Sequence, residues 1–343
     1  MNITYAEALN LALVHEMESD PSVFVFGLDV DDHKAIFGST KGLVEKFGAR
    51  RCFGTPLSED AMTGVAIGAA ISGLRPVHVH IRADFLLLCM NQLVNMASNM
   101  SYMSGGKLSV PLVVRAVIGR GWGQGPQHSK SMHGMFAHFP GLKVMMPTTP
   151  QDAYSMLRAA IRDPNPVIFL EHRWLYDIAG EVNVDAGSGD APVIRRNGDD
   201  ITIVSTSWMT VEALKAAEIL IKRGISCEVI DIRKISPLYD ETVIFSVRKT
   251  KYCLIIDCDW IEYGFSAEMA ATVASECFGD LLVPVARVGF WPVPCPTTRS
   301  LENLFYPSAR DIITEVEEML NISETDLSTE EFYSHENRFK GPF

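Results

Sequence analysis

Short apolar runs alternate along the chain with stretches of helical period. "SVFVFGLDV" is followed by a helix through "GLVEKFG", and "AMTGVAIGAAISGL", "PVHVHI", "LLCMNQLVNMASNM", "VPLVVRAV" and "PVIFLE" come next. Compact apolar runs read as strands, and the longer stretches with apolar positions at i, i+3 and i+4 read as helices. Such alternation predicts βαβ units and a mainly parallel sheet covered by helices on both faces. The polar, glycine-rich stretch "DIAGEVNVDAGSGDAPVIRRNGDD" then interrupts the pattern, as a connection between domains does. A second series begins with "DITIVST" and "TVEALKAAEILIKRG" and continues through "SCEVIDI", "YCLIIDC", "SAEMAATVASECFG" and "PVARVGF". Gly224 and Gly279 stand where two of its helices should stop. The expected architecture is α/β with two doubly wound domains: residues 1–176, a linker 177–192, residues 193–320, and a tail 321–343. The tail mixes charge and aromatics without a period, which suggests that it orders against a partner.

Composition narrows the classes of function. With 343 residues, 47% apolar, the chain can bury two cores of ordinary size. A net charge of -12 and no block of Lys or Arg speak against nucleic-acid binding. Its seven cysteines are scattered and never spaced C-x-x-C, so neither a disulfide framework nor a zinc knuckle is expected, and a reducing, cytoplasmic compartment fits. The amphipathic, acidic start and the lack of an apolar run of about 18 residues give no export signal and no membrane span. No strand leads into G-x-G-x-x-G at a helix start, which argues against a dinucleotide site.

Two stretches could carry chemistry. In "GTPLSEDAMTGVAIGAAISGL" an acidic residue, Glu59, stands at the mouth of a loop, and a helix rich in small residues follows at once. Glu59 and Asp60 would favour the positive end of that helix in any protein, and Gly64, Ala66, Gly68, Ala69 and Ala70 would let another backbone come close. "GRGWGQGPQHSKSMHG" holds five glycines and two histidines but lacks the endings of a phosphate loop. His128, His133 and His138 do not share one helical face, and His78 with His80 in "HVH" lack a nearby carboxylate or cysteine. Packing or hydrogen bonding accounts for these histidines other than His128.

The order and spacing of "ALNLALVHEMESDPSVFVFG", "GTPLSE", "GAAISGLRPV", "MSGG", "QHS", "FAHFPGLKVMMP", "AIRDPNPVIFLE" and "DITIVSTSWMTVEALKAAEIL" add a further clue. From about residue 3 to residue 320 the chain resembles the β subunits of the thiamine diphosphate-dependent 2-oxo acid dehydrogenases, of the pyruvate and branched-chain decarboxylating type within the transketolase-like superfamily. The resemblance implies a pyrimidine-binding first domain and a transketolase-like C-terminal domain. It places Glu59 on the cofactor's aminopyrimidine, where a shared proton favours the tautomer that activates the thiazolium. It makes His128 the active-site acid or base, with Gln127 beside it, and sets Phe85 against the pyrimidine, although a Phe before "LLLCM" is also ordinary core. Leu112, Ala160, Asp163 and Asn165 match positions that bind a structural K⁺, while "RDPNP" is otherwise a plain turn.

The Gly-Asp-Gly motif that holds Mg²⁺ and diphosphate is absent, so the resemblance implies half a site, completed by an α subunit carrying that motif in an α2β2 assembly. A lipoyl carrier acyltransferase is a candidate further partner. Leu28 replaces the family's glutamate after the first long strand, and Asp29, Asp31 and Asp32 are candidates to compensate. Arg82 is a candidate substrate contact or, equally, an interface salt bridge. A 2-oxo acid decarboxylating β subunit is the first reading. A transketolase-like or acyloin-forming carboligase is the alternative within enzymes, and a regulatory subunit without catalysis is the rival outside them.

Overall fold

The computed structural model describes residues 1–119, 123–187 and 189–332. The chain forms two compact units: residues 1–118, 135–190 and 234–237 make the first, and residues 119–134, 191–233 and 238–343 the second. Chain order and spatial grouping therefore part company twice, at the glycine-rich stretch after residue 118 and at the short piece 234–237.

The strands, in chain order, are β1 (Asn2–Thr4), β2 (Val23–Gly27), β3 (Cys52–Gly54), β4 (Arg75–His80), β5 (Val113–Ile118), β6 (Lys143–Met145), β7 (Val167–His172), β8 (Ala179–Glu181), β9 (Val193–Arg196), β10 (Ile201–Ser205), β11 (Cys227–Asp231), β12 (Lys234–Ser236), β13 (Cys253–Trp260) and β14 (Ala286–Phe290). The first unit holds a seven-stranded sheet in the order β12-β6-β7-β5-β4-β2-β3. Only β12, at its edge, runs antiparallel. A separate antiparallel ribbon pairs β1 with β8, and β8 falls within the expected linker. The second unit's sheet runs β14-β13-β10-β11-β9, with β9 its antiparallel edge. Two doubly wound, mainly parallel α/β units are thus observed.

In β5 and β7 every residue is buried, as expected for central strands of a parallel sheet. One of those buried residues is charged. Arg115 on β5 places Nε 2.5 Å and Nη2 2.9 Å from the two carboxylate oxygens of Glu171 on β7. Both side chains are buried, Arg115 also donates to Ser39 Oγ at 3.1 Å, and the Tyr176 hydroxyl donates to the same carboxylate. Burial, with the charge of Glu171 close by, pushes the phenols of Tyr5 and Tyr176 well above their ordinary value, so Glu171 carries the negative charge of the cluster.

Helix ends follow local sequence. Thr4 and Glu7 form a capping box on the helix Tyr5–Ser19, and Thr149 and Asp152 form one on the helix Pro150–Arg162. These two helices pack together, and Glu16 from one accepts Arg158 and Arg162 from the other at 2.7–2.8 Å. The stretch "LLCMNQLVNMASNM" departs from the expected regular helix: tight turns over Ala83–Cys89 give way to a wider coil over Asn91–Ala97. Residues 321–332 of the tail fold back within the second unit, where Arg223 donates to Ser323 O at 2.5 Å and Lys222 pairs with Glu330 at 2.5 Å. The expectation of partner-dependent order does not hold for this part. The rest of the tail lies outside the described residues.

The pair on β5 and β7 is testable. Arg115→Met leaves Glu171 buried without its cation and should destabilise the first unit by about 3–5 kcal/mol in urea denaturation, whereas Arg115→Met with Glu171→Met should recover most of the loss.

Candidate active site

In a parallel sheet all carboxyl ends emerge on one edge, and ligands bind there, near the point where strand order reverses. In the first unit that reversal surrounds β2: β3 lies on one side and β4 on the other. Three sequence-predicted features leave from these neighbouring strands. The Leu28 loop follows β2, the Glu59 turn follows β3, and the segment with Arg82 and Phe85 follows β4.

Glu59 is the first residue of the helix Glu59–Ile71 and is half-buried. Its carbonyl accepts the Thr63 hydroxyl at 2.8 Å, and Thr63 lies 3.4 Å from His78 Nδ1 on β4. Gly27, at φ 156, ends β2 where a Cβ would come 2.1 Å from Val79 O, so only glycine lets β2 and β4 stay paired there. A Cβ on Gly54 would come 2.5 Å from Asp31 Oδ1, which puts the Asp31 carboxylate at the root of the Glu59 turn. Leu28 itself is half-buried, and Asp29 and Asp31 are exposed.

Phe85 is 37% exposed, so its ring is not ordinary core. Arg82 is buried, with its guanidinium 5.8 Å from the centroid of Phe37, and Arg173 lies 4.6 Å from the same ring. Phe37 belongs to a turn in which Ala35, Ile36 and Phe37 all have positive φ, between 46° and 54°. Of the small residues on the helix Glu59–Ile71, Gly68 has nothing among the described residues within 4 Å of an added Cβ, and Gly64 faces the Gln92 side chain.

His78 and His80 are core histidines. Their nitrogens are 3.3 Å apart, and Phe26 stacks on His78 at 4.5 Å. Burial pushes His78 well below the ordinary imidazole range and His80 down to about 4, so both are neutral at physiological pH. Leu112, Ala160, Asp163 and Asn165 gather at the opposite, amino edge of the sheet. Leu112 O accepts Val167 N at 2.9 Å, Asp163 N donates to Ala160 O at 3.2 Å, and Asn165 Nδ2 donates to Asp163 Oδ1 at 3.3 Å. Cationic side chains already serve Asp163: Arg75 reaches its carbonyl at 3.3 Å, and Lys143 pairs with its carboxylate.

Gln127 and His128 belong to the second unit. A tight turn over Gly125–Gln127 delivers His128, whose backbone N–H meets Gly125 O at 3.4 Å. Gln127 is exposed and His128 half-buried. A Cβ on Gly125, at φ 63, would come 2.6 Å from Thr297 Oγ1, so the turn sits hard against the Thr297 segment. The Tyr306 hydroxyl donates to Ser129 O at 3.2 Å. Beside this turn a cavity of about 410 Å³ is lined by Pro126, Ser129, Lys130, Trp260 and Tyr263 among others. His138 is exposed. His133, read from the sequence as a packing or hydrogen-bonding residue, is wholly buried between two carboxylates, with Nε2 2.8 Å from Asp257 Oδ1 and Nδ1 3.8 Å from Asp259 Oδ2.

Comparison with known proteins shows the family. The family described as "Transketolase, pyrimidine binding domain" matches residues 1–178, and "Transketolase, C-terminal domain" matches residues 189–312. The chain is 41% identical over 317 residues to the pyruvate dehydrogenase E1 component subunit beta-2, mitochondrial, of Oryza sativa subsp. japonica, covering 91% of this chain and 84% of that one. The chain belongs to the family of 2-oxo acid dehydrogenase E1 β subunits. This is a family of thiamine diphosphate-dependent decarboxylating enzymes. Within it, similarity spreads over several substrates. The 2-oxoisovalerate dehydrogenase subunit beta of Bacillus subtilis (strain 168) is 41% identical over 310 residues, covering 88% of this chain and 94% of its own. The acetoin:2,6-dichlorophenolindophenol oxidoreductase subunit beta of Cupriavidus necator is 40% identical over 318 residues, with coverage of 89% and 94%. A solved structure titled a split gene transketolase, inactive beta4 tetramer, has TM-score 0.75 at 21% identity over 94% of this chain and 99% of that one, a likeness of fold. Among the described residues no helix is long and apolar enough to cross a membrane.

The neutral state of His80 gives a pH prediction. A histidine whose folded value is depressed to about 4 contributes stability that is full above about 6.5 and is lost as pH falls through about 4. Thermal denaturation from pH 7 to pH 4 should show a steep fall in Tm that His80→Gln flattens.

Proposed function

We propose that the chain is the β half of a thiamine diphosphate-dependent enzyme that decarboxylates a 2-oxo acid and passes the acyl group to a lipoyl carrier acyltransferase, and that a separate α subunit completes its active site in an α2β2 assembly. The observation that carries this is the setting of Glu59. It stands half-buried at the carboxyl edge of a parallel sheet and opens the helix Glu59–Ile71, and the segments that leave this edge, with the helix itself, carry the exposed apolar side chains Leu57, Val65, Phe85, Leu87 and Leu88. A carboxyl group on an edge with uncovered apolar side chains is what half a site offers to a second wall.

The residues fit the cofactor's pyrimidine half. Glu59 is half-buried and so able to hold a proton against a ring nitrogen, and Phe85 has ring surface to lay against the heterocycle. Once bound, thiamine diphosphate supplies a thiazolium carbon that adds to a carbonyl and takes up the electrons released with carbon dioxide. Gln127 would orient the cofactor's amino group, and His128 would give or take a proton on the substrate side. Mg²⁺ with the diphosphate falls to the α subunit, since this chain lacks the motif that holds them. A K⁺ at Leu112, Ala160, Asp163 and Asn165 would be structural, because those residues lie on the amino edge of the sheet, away from the Glu59 edge. Arg82, packed on Phe37, would act on the substrate chiefly by holding the loop after β2.

A second reading has an observation of its own: the acetoin-named relative is as similar as the 2-oxo acid ones, which favours an acyloin substrate as the alternative. The compartment proposed is a reducing one, since all seven cysteines are buried as free thiols; a cytoplasmic site is the simplest case, and several relatives are named mitochondrial.

The test is co-expression with the α-type partner followed by assays on pyruvate, 2-oxoisovalerate and acetoin. Glu59→Gln should leave assembly intact by native mass spectrometry and lower turnover by about 10²–10⁴-fold. A Glu59→Gln enzyme with full activity, or a chain that never takes up cofactor with any partner, would sink the reading in favour of a regulatory subunit.

A further inference from the structure

The second unit contains a buried charged cluster that the proposed chemistry does not use. His133 and Asp257 are fully buried, and Asp259 is 4% exposed. The two carboxylates come from β13 and meet opposite nitrogens of one imidazole, Asp257 at Nε2 and Asp259 at Nδ1. Neither ring nitrogen has an aligned hydrogen-bond partner, so the 2.8 Å contact works as a charge pair. Burying two carboxylates without a cation would be prohibitive. Among the described residues the group that faces both of them is His133, and it must carry the charge.

The surroundings point the same way. Met132, immediately before, is buried with φ 56, a left-handed conformation that a side chain of this size adopts only under constraint. A Cβ on Gly134, immediately after, would come 3.0 Å from Phe265 N, so the chain presses on the start of the helix Phe265–Glu276. That helix presents the Phe265 ring 6.3 Å from the imidazole, and Cys258, between the two acids in sequence, brings its thiol within 4.8 Å of ligand atoms of His133 and Asp257. Burial works against a charge on His133, but Asp257 and then Asp259 outweigh it and push the imidazole up to about 9.

We propose that the His133 imidazolium, clamped between Asp257 and Asp259, is a positioning residue that fixes the segment carrying His128 onto the second unit. His133 follows His128 by five positions. The contact of Tyr306 with Ser129 and the close approach of Gly125 to Thr297 hold the segment nearer its start, and the clamp holds its end. The catalytic part of this inference rests on the role proposed for His128; the physical part does not.

The sign follows from the raised value. The clamp's contribution is complete below about 6.5 and disappears as pH rises through about 9, when the imidazole loses its proton and leaves two carboxylates facing a neutral ring. The groups facing His133 are the acids and thiol of β13; burial holds the Cys258 thiol well above its usual range, so it stays protonated through this window.

The experiment is deuterium exchange on the full chain in chelator-treated buffer between pH 6 and pH 10, read by mass spectrometry both at histidine C2 positions and along the backbone. His133 should titrate near 9, and backbone exchange over residues 123–134 should rise at least tenfold through the same pH. Because His133→Ala is liable to unfold the unit, His133→Asn with Asp257→Asn removes the imidazole together with its nearer acid, while Asp259 keeps the Trp260 N–H at 2.9 Å; this variant should fold and show no such rise between pH 7 and pH 10. In the assembled enzyme the same double variant should lower kcat more than it raises KM. The proposal is overturned by a His133 that titrates in the ordinary range, by protection of 123–134 that ignores pH, or by stoichiometric metal in native mass spectra, since His133, Asp257 and Cys258 offer nitrogen, oxygen and sulfur within 4.8 Å of one another. An inactive chain with the expected exchange would count against the role of His128 and leave the clamp standing.

Discussion

The first unit is organised around a charge in its centre. Arg115 and Glu171 occupy diagonal positions on two neighbouring central strands of the seven-stranded sheet, and each would be costly there without the other. A hydrophobic pair would give comparable stability, so a bidentate ion pair in this place is better understood as fixing geometry. The guanidinium also reaches Ser39, in the stretch that follows β2, and the carboxylate receives Tyr176, just after β7. One pair therefore ties together the central strands and two segments that leave the sheet at its carboxyl edge. Both segments border the features proposed for cofactor and substrate.

The second unit solves a related problem with different chemistry. Its acids, Asp257 and Asp259, lie near the carboxyl end of β13, where a sheet of this type exposes its functional edge. Their cation arrives from a segment that leaves the first unit's strand β5 and is counted, in space, with the second unit. An arginine would hold its charge at any pH, whereas a histidine holds it only while its acids outweigh its burial. The choice makes the position of that segment depend on pH in a way the Arg115 pair does not.

Much of this was legible in the sequence, for a physical reason. Parallel strands buried on both faces give unbroken apolar runs, and "VVRAVI" and "VIFLE" read as strands although each hides a charged residue. Glu59 could be placed because an acid at a helix start has a local signature. The Arg115–Glu171 pair was not legible, since its partners are 56 residues apart and neither sits in a motif. The charged partners of His133 were hidden for the same reason: its acids are more than 120 positions away, and spacing within "HSKSMHG" carries no trace of them. The pairing of β8, inside the expected linker, with β1 and the return of β12 to the first sheet were likewise invisible, because each is a three-residue strand defined only by its pairing.

Relatives named for pyruvate, 2-oxoisovalerate and acetoin stand at nearly equal identity to this chain, so overall similarity does not select among those substrates. The loop after β2 carries strained backbone near the Glu59 edge. Three consecutive residues without glycine's freedom, Ala35, Ile36 and Phe37, take left-handed backbone, at a cost of roughly 1–2 kcal/mol each. Burial of Ala35 and Ile36 and the contacts of Phe37 with Arg82 and Arg173 offset that cost. A loop built this way keeps one shape, and its shape brings the Asp31 carboxylate beside Gly54, where the Glu59 turn begins. The Asp31 carboxylate, three residues after Leu28, therefore stands at the same edge of the sheet as the Glu59 turn.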